Sequence, residues 1–267
     1  MLLQGKKVLI VGVLDRKSIA YAIAEQAQQA GAEILLTSFG RVMSITQMTA
    51  KRLDPVPDIL ELDATKPEQV EAVCKEVEKR WGRLDGLVHS IAGAPNDALG
   101  GNFLHTPFES AAVAFHIGAF SLKTLAVGML PVMREYGGSI ITLDFDNSTQ
   151  AWPKDDCKGV TKSALESILR YLARDLGRYG IRVNALAAGP LATLAASAIP
   201  GFRDFEDLWH RRAPLGWDIK DKSPVGKTAC AMLSDWMPAT TGEIIHVDGG
   251  YHAMGAEIPP QQEGAIP

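Results

Sequence analysis

Short runs of consecutive apolar residues alternate with segments of helical periodicity along nearly the whole chain. Lys7-Val8-Leu9-Ile10-Val11 reads as a strand that runs into Gly12. Residues 18–30 read as the helix after it, with Ser18 at the N-cap and Gly31 just past the end. The same alternation predicts strands at 33–37, 59–62 and 86–89, a helix over 43–51, and one over 67–80 opened by Pro67 and an early Glu68. Residues 108–133 form a long helical stretch, as one helix or two, followed by a strand at 139–143. The strongest helix lies at 159–179, where Val160, Ala164, Leu165, Ile168, Leu169, Leu172, Ala173 and Leu176 keep the 3.6-residue spacing. Strands at 182–186 and 243–247 complete the series.

These strands are apolar throughout rather than alternating, as a sheet covered on both faces requires. Seven such strands joined by helices predict an α/β, doubly wound Rossmann-type parallel sheet with helices on both faces. No linker, repeat or low-complexity tract divides the chain, so residues 1–256 read as one domain and the Pro-rich 257–267 as a mobile tail.

Composition narrows the function classes. The chain has 267 residues, and 27 basic against 31 acidic side chains leave a net charge of -4. That balance argues against nucleic acid and against a polybasic membrane patch. Cys74, Cys157 and Cys230 are scattered and form no CxxC pair, which disfavours a disulfide framework or a zinc site and fits a cytoplasmic protein without a metal. The apolar run at the start is too short for a signal peptide, and the uncharged stretch 183–202 is broken by Asn184, Gly189-Pro190 and Pro200.

In a sheet of this kind, ligands bind beyond the carboxyl ends of the strands. Gly12 ends the first strand, and Ser18-Ile19-Ala20 opens a helix whose free N–H groups suit a pyrophosphate. A single glycine is a weak fingerprint, equally consistent with a plain strand-to-helix turn. Asp63 is either an acceptor for an adenine amino group or an exposed loop carboxylate; Phe39 lies on the adenine or in the core, and position favours the core. Ser90-Ile91-Ala92-Gly93 is small enough for backbone to approach a flat ring. Lys162 is either a ribose ligand or, as position alone favours, part of a solvated helix face.

Taken together, the motifs resemble the enoyl-acyl-carrier-protein reductases, a divergent branch of the short-chain dehydrogenases, and most closely the long-chain, mycolic-acid-type enzymes. The likeness runs from about Leu3 to Gly255. It is carried by Gly12…Ser18-Ile19-Ala20, Leu60-Glu61-Leu62-Asp63, Leu87-Val88-His89-Ser90-Ile91 and Asp144-Phe145-Asp146. Lys162 to Ser167, Ala188 to Ala195, Leu233-Ser234-Asp235-Trp236 and Val247-Asp248-Gly249-Gly250 extend it. The resemblance implies NAD(H) bound by Gly12, Ser18, Ile19, Phe39, Asp63, Ser90, Ile91, Ala92, Ile117, Lys162, Ala188, Gly189, Pro190, Leu191 and Thr193. It also implies Phe145 beside the nicotinamide, a substrate loop over about 193–212, an acyl thioester on acyl carrier protein or coenzyme A, and a homotetramer. NADH is favoured over NADPH, although Arg41, beside Ser38-Phe39-Gly40, is able to accept a phosphate.

One departure bears on the chemistry. The family carries a tyrosine seven residues before the lysine, followed by a bulky apolar residue and a methionine at two and three residues further on. Here those places hold Asp155, Cys157 and Lys158. With Pro153 as the first helical residue, Asp155 and Asp156 fall in the first turn, and Asp155 shares a face with Lys162. An ionised aspartate cannot donate to a thioester carbonyl, and its charge opposes an enolate. Three functions follow: an NADH-dependent enoyl-thioester reductase with Asp155, Lys162 and Phe145 at the reacting centre, a scaffold turned to a redox-neutral step with Asp155 as acid or base, or a non-catalytic NAD(H)-binding protein. The first is preferred, because the cofactor motifs and the substrate loop are nearly complete.

Overall fold

The computed structural model describes residues 1–197 and 202–257. Seven parallel strands form one sheet in the order β3-β2-β1-β4-β5-β6-β7. They are β1 (Lys7–Val11), β2 (Glu33–Ser38), β3 (Ile59–Glu61), β4 (Gly86–His89), β5 (Gly138–Asp144), β6 (Ile181–Ala188) and β7 (Ile244–Val247). Val8 to Val11 are buried in sequence, as are Leu87, Val88, Ile140 and Ile141, because both faces of the sheet are covered.

One face is covered by α1 (Ile19–Gln29) and α9 (Ser223–Leu233), which enclose Val8, Ile10, Leu36, Val88, Ile141 and Leu186. On the other face α3 (Pro67–Trp81), α5 (Ser121–Met133) and α6 (Cys157–Leu176) pack over Leu9, Leu35, Leu87, Ile140 and Val183. The short α2 (Met43–Ala50) follows β2. The stretch 108–133 is continuous, with α4 (Phe108–Phe115) joined to α5 by a π-turn at His116–Phe120. It is long and apolar enough to cross a membrane by length and composition, yet Leu122, Leu125, Met129 and Met133 are fully buried in the core.

Beyond β6 lie α7 (Leu194–Ser197) and α8 (Phe202–Arg212). Part of the anticipated substrate loop, 198–201, and most of the anticipated tail, 258–267, lie outside the described residues; Glu257 pairs with Arg211 at 3.0 Å. The periodicity did not announce α9. Its buried face of Val225, Gly226, Ala229, Cys230, Met232 and Leu233 packs closely on α1, with Gly226 against the backbone of Ala22.

The expected helix start at Pro153 is not found. Lys154 has φ 71° and Asp156 φ 40°, both outside the helical region, and α6 begins at Cys157. Asp155 therefore precedes the helix rather than sharing its first turn.

Candidate active site

The order of strands reverses between β1 and β4, and the site lies at that point, beyond their carboxyl ends. Gly12 leaves β1 at φ 101° and passes so close to β4 that a Cβ would lie 2.0 Å from Ser90 O. No side chain fits there, and the first strand-to-helix turn is open as a result. Ser18 caps α1: its Oγ accepts from the Tyr21 N–H at 3.3 Å and donates to Asp15 O at 2.7 Å.

Two cavities follow, of about 390 and 180 Å³, and they meet at Ala92. The first is lined by Gly12, Phe39, Asp63, Ser90, Ile91 and Ile117 among others. The second contains Ile19, Phe145, Asp155, Lys162, Ala188 to Leu191, and Thr193. Every site residue expected from the sequence except Ser18 thus lines one trough, and Ser18 holds the helix end beside it. Phe39 is 49% exposed, so it is not a core residue; its ring stands at the rim of the larger cavity. The Asp63 carboxylate is not a free loop charge either. Its Oδ1 accepts from the backbone N–H and the hydroxyl of Thr65 at 3.0 and 2.6 Å.

Lys162 is not on a solvated face. It is half-buried, and its Nζ donates to Leu143 O at 2.6 Å, so its head is fixed at the end of β5. Burial lowers its pKa, against the pull of Asp144 and Asp155. Asp144 is buried with neither carboxylate oxygen hydrogen-bonded, and burial pushes its pKa up to about 7 despite the Lys162 charge. Asp155 is 5% exposed; its Oδ2 accepts from Asn147 Nδ2 at 2.6 Å while Oδ1 has no partner. Burial raises its pKa as well, opposed by the Lys158 charge and the Asn147 hydrogen bond.

Several groups that support this trough were given no role by the sequence patterns. His89 ends β4, fully buried, between Thr142 Oγ1 at 2.7 Å and Ser121 Oγ at 2.9 Å. The Ser121 hydroxyl donates to Ile117 O, so it accepts from His89 Nε2–H, and Nδ1 accepts from Thr142. This chain ties β4, β5 and α5 together just before Ser90. The π-turn carries Ile117 into one cavity and Gly118 into the other, where a Cβ on Gly118 would meet Thr161 Cγ2 at 2.6 Å. An aromatic wall closes the far side: Trp209 stacks on Tyr251 at 3.7 Å, and Phe145, Trp152 and Phe205 pack around them. Asp156, expected within the first turn of the helix, instead accepts from Gly101 and Asn102 N–H at 2.6 and 3.0 Å and ties down the segment after β4.

The family model described as enoyl-(acyl carrier protein) reductase matches residues 12–252. This chain belongs to that family. It is 43% identical over 263 residues to the NADH-dependent enoyl-acyl-carrier-protein reductase of Mycolicibacterium smegmatis, covering 93% of this chain and 97% of that protein. A Mycobacterium avium protein of the same name is likewise 43% identical over 262 residues, with the same coverage. The Aquifex aeolicus reductase is 38% identical over 260 residues, with 95% and 94% covered.

The trough also fits a dinucleotide on its own geometry. Gly12 leaves backbone room at the N-terminus of α1, Ile91 and Phe39 offer apolar surfaces, and Lys162 offers a fixed cation. Among the described residues no group of three His, Cys, Asp or Glu side chains is placed to hold a metal ion.

Proposed function

We propose that this protein uses NADH to reduce the 2,3 double bond of an enoyl thioester, with an aspartate where the family has its tyrosine. The observation that carries the reading is the continuous trough from Gly12 to Phe205, which joins a dinucleotide-sized groove to a pocket with aromatic walls. In this reading the N-terminus of α1, capped by Ser18, receives the pyrophosphate. Asp63 takes the adenine amino group between Phe39 and Ile91, and Lys162 holds ribose hydroxyls. Ser90, Ala92, Ile117 and Thr193, with Ala188 to Leu191, flank the ring at the reacting end, and Phe145 lies beside it. When bound, NADH supplies the hydride.

The protein's own part is to orient and to exclude water. The segment from Thr193 through α8 covers the acyl chain, and Phe145 and Phe205, backed by Trp152 and Trp209, give it an apolar surface. The relatives' names point to an acyl group on acyl carrier protein, and coenzyme A presents the same thioester. Cytoplasmic fatty-acid synthesis is the setting that fits. The exposed apolar side chains Val113, Phe115, Phe120 and Val127 along the 108–133 stretch support self-association, with a homotetramer as the expected state.

The test follows nicotinamide absorbance with a panel of 2-enoyl thioesters, NADH and NADPH, for the native protein and Asp155→Tyr. Substrate-dependent NADH oxidation by the native protein, at a rate within about tenfold of the variant, is the expected result. If only Asp155→Tyr turns over, the native site has left reduction. A second reading then takes its place, favoured by the buried Asp155 carboxylate with a free Oδ1 and a raised pKa: acid–base catalysis of a redox-neutral step.

A further inference from the structure

One charged group in the reacting pocket has no part in the reading above. Lys158 is the second residue of α6, one turn before Lys162, and side chains at this spacing share a helix face. Both lysines line the smaller cavity. Lys162 Nζ is committed to Leu143 O, whereas Lys158 Nζ makes no hydrogen bond or ion pair among the described residues. Much of the surrounding wall is carbon, from Ile19, Ala188, Pro190, Leu191 and Phe205. Burial lowers the Lys158 pKa and the Asp155 carboxylate raises it. The Lys158 ammonium therefore keeps its donors free at the edge of a largely apolar pocket, where an anionic oxygen arriving during function can take one.

Asp155 supplies the complementary observation. It lines the same cavity, its Oδ2 accepts from Asn147, and its Oδ1 is buried without a partner. The Lys158 N–H donates to Asp155 O at 2.8 Å, which fixes the backbone of one residue against the other at the start of α6. A carboxylate accepting from Asn147 is suited to hold a cation, not to donate to a carbonyl.

Resting on the reductase reading, we propose that Lys158 is the catalytic residue that receives the developing enolate oxygen of the thioester, and that Asp155 is its positioning counter-ion. As hydride bonds to the β-carbon, the double-bond pair shifts to lie between the α-carbon and the carbonyl carbon, and the carbonyl π pair settles on oxygen. The Lys158 ammonium donates a hydrogen bond to that oxygen. The carbonyl re-forms as the α-carbon takes a proton from water, and Lys158 stays charged throughout. The tyrosine of the family is thus replaced by a cation three residues further along, with a carboxylate in the tyrosine's own place.

Acetoacetyl-coenzyme A tests this without turnover, because its enolate has a near-ultraviolet band that the keto form lacks. Native protein saturated with NAD+ is expected to raise that band, and Lys158→Met to abolish it while still binding NADH. In the enoyl-thioester assay Lys158→Met is expected to lose about 10²-fold in kcat, the scale for one oxyanion donor, and Lys158→Arg to keep more of the rate than Lys158→Met. Asp144, Asp155 and Lys162 are the other charged groups lining the cavity. Removing the Asp155 charge in Asp155→Asn therefore moves the alkaline limb of the rate profile to lower pH, which a purely structural role would not do. An undiminished enolate band and a rate within about threefold of native in Lys158→Met overturn the proposal and leave the reductase reading intact. A Lys158-dependent band without NADH oxidation by any enoyl thioester does the reverse: the oxyanion site stands and the reductase reading falls.

Discussion

His89 allows a prediction whose size follows from its surroundings. The imidazole is fully buried, its Nε2–H given to Ser121 and its Nδ1 accepting from Thr142, so both nitrogens are used in the neutral form. Burial, and then the Lys162 charge, push its pKa from 6.5 down to about 3. Between those values the unfolded chain binds a proton that the folded chain refuses, so stability falls as pH drops below 6.5. Each pH unit is worth about 1.4 kcal/mol. Acidification from near pH 8 to about pH 5 therefore removes roughly 2 kcal/mol through this one residue. The figure holds for any folded-state value well below 5.

His89→Gln is the perturbation, because an amide can donate to Ser121 and accept from Thr142 without a titrating proton. Its hydrogen-bond geometry costs some stability at both pH values, which cancels in the comparison. Asp144 and Asp155, whose raised pKa values act in the opposite direction, are present in both proteins and cancel too. Urea unfolding at one protein concentration, near pH 8 and near pH 5, is expected to give a native loss about 2 kcal/mol greater than that of the variant. Equal losses would refute the reasoning, since they would mean that the folded imidazole takes up its proton as readily as the unfolded one. Ring proton shifts of His89 that titrate above pH 5 would say the same.

Two further outcomes are expected. Gly12→Ala places a methyl against Ser90 O and forces alanine to φ 101°, so it is expected to cost ~2 kcal/mol or more and to weaken NADH binding at least tenfold; unchanged affinity in a fluorescence titration refutes the close approach. Asp144 keeps its proton to about pH 7 in the fold against 3.8 when free, so its contribution to stability is lost as pH rises through that window. Asp144→Asn is therefore expected to stabilise by ~2–4 kcal/mol near pH 8 and by less near pH 5, and an equal effect at both pH values in urea unfolding counts against a buried, unpartnered acid.

How much of this was legible in the chain depends on the range of the interactions. Continuous apolar runs such as Val8 to Val11 and Leu87-Val88, and the 3.6-residue stripe of α6, are local, and they specify seven covered strands with helices between them. The open turn from β1 into α1 was legible for the same reason, since Gly12, the Ser18 cap and α1 are neighbours in sequence. The start of α6 was not. Lys154 and Asp156 adopt positive φ where Gly100 N–H bonds to Lys154 O and Asp156 binds Gly101 and Asn102, more than fifty residues away, so no local pattern could tell that α6 starts at Cys157.

His89 likewise lies 53 and 32 residues from Thr142 and Ser121, and the aromatic wall gathers Phe145 and Trp152 with Trp209 and Tyr251; these groups meet only because β4, β5 and the segments after β6 and β7 end at one edge of the sheet. Sequence by itself determined the doubly wound sheet, the family and the residues that line the trough beyond β1 and β4. Tertiary structure alone decided that Lys158 and Asp155 line one pocket with free polar atoms, because burial and partnership belong to the packed molecule and not to the chain.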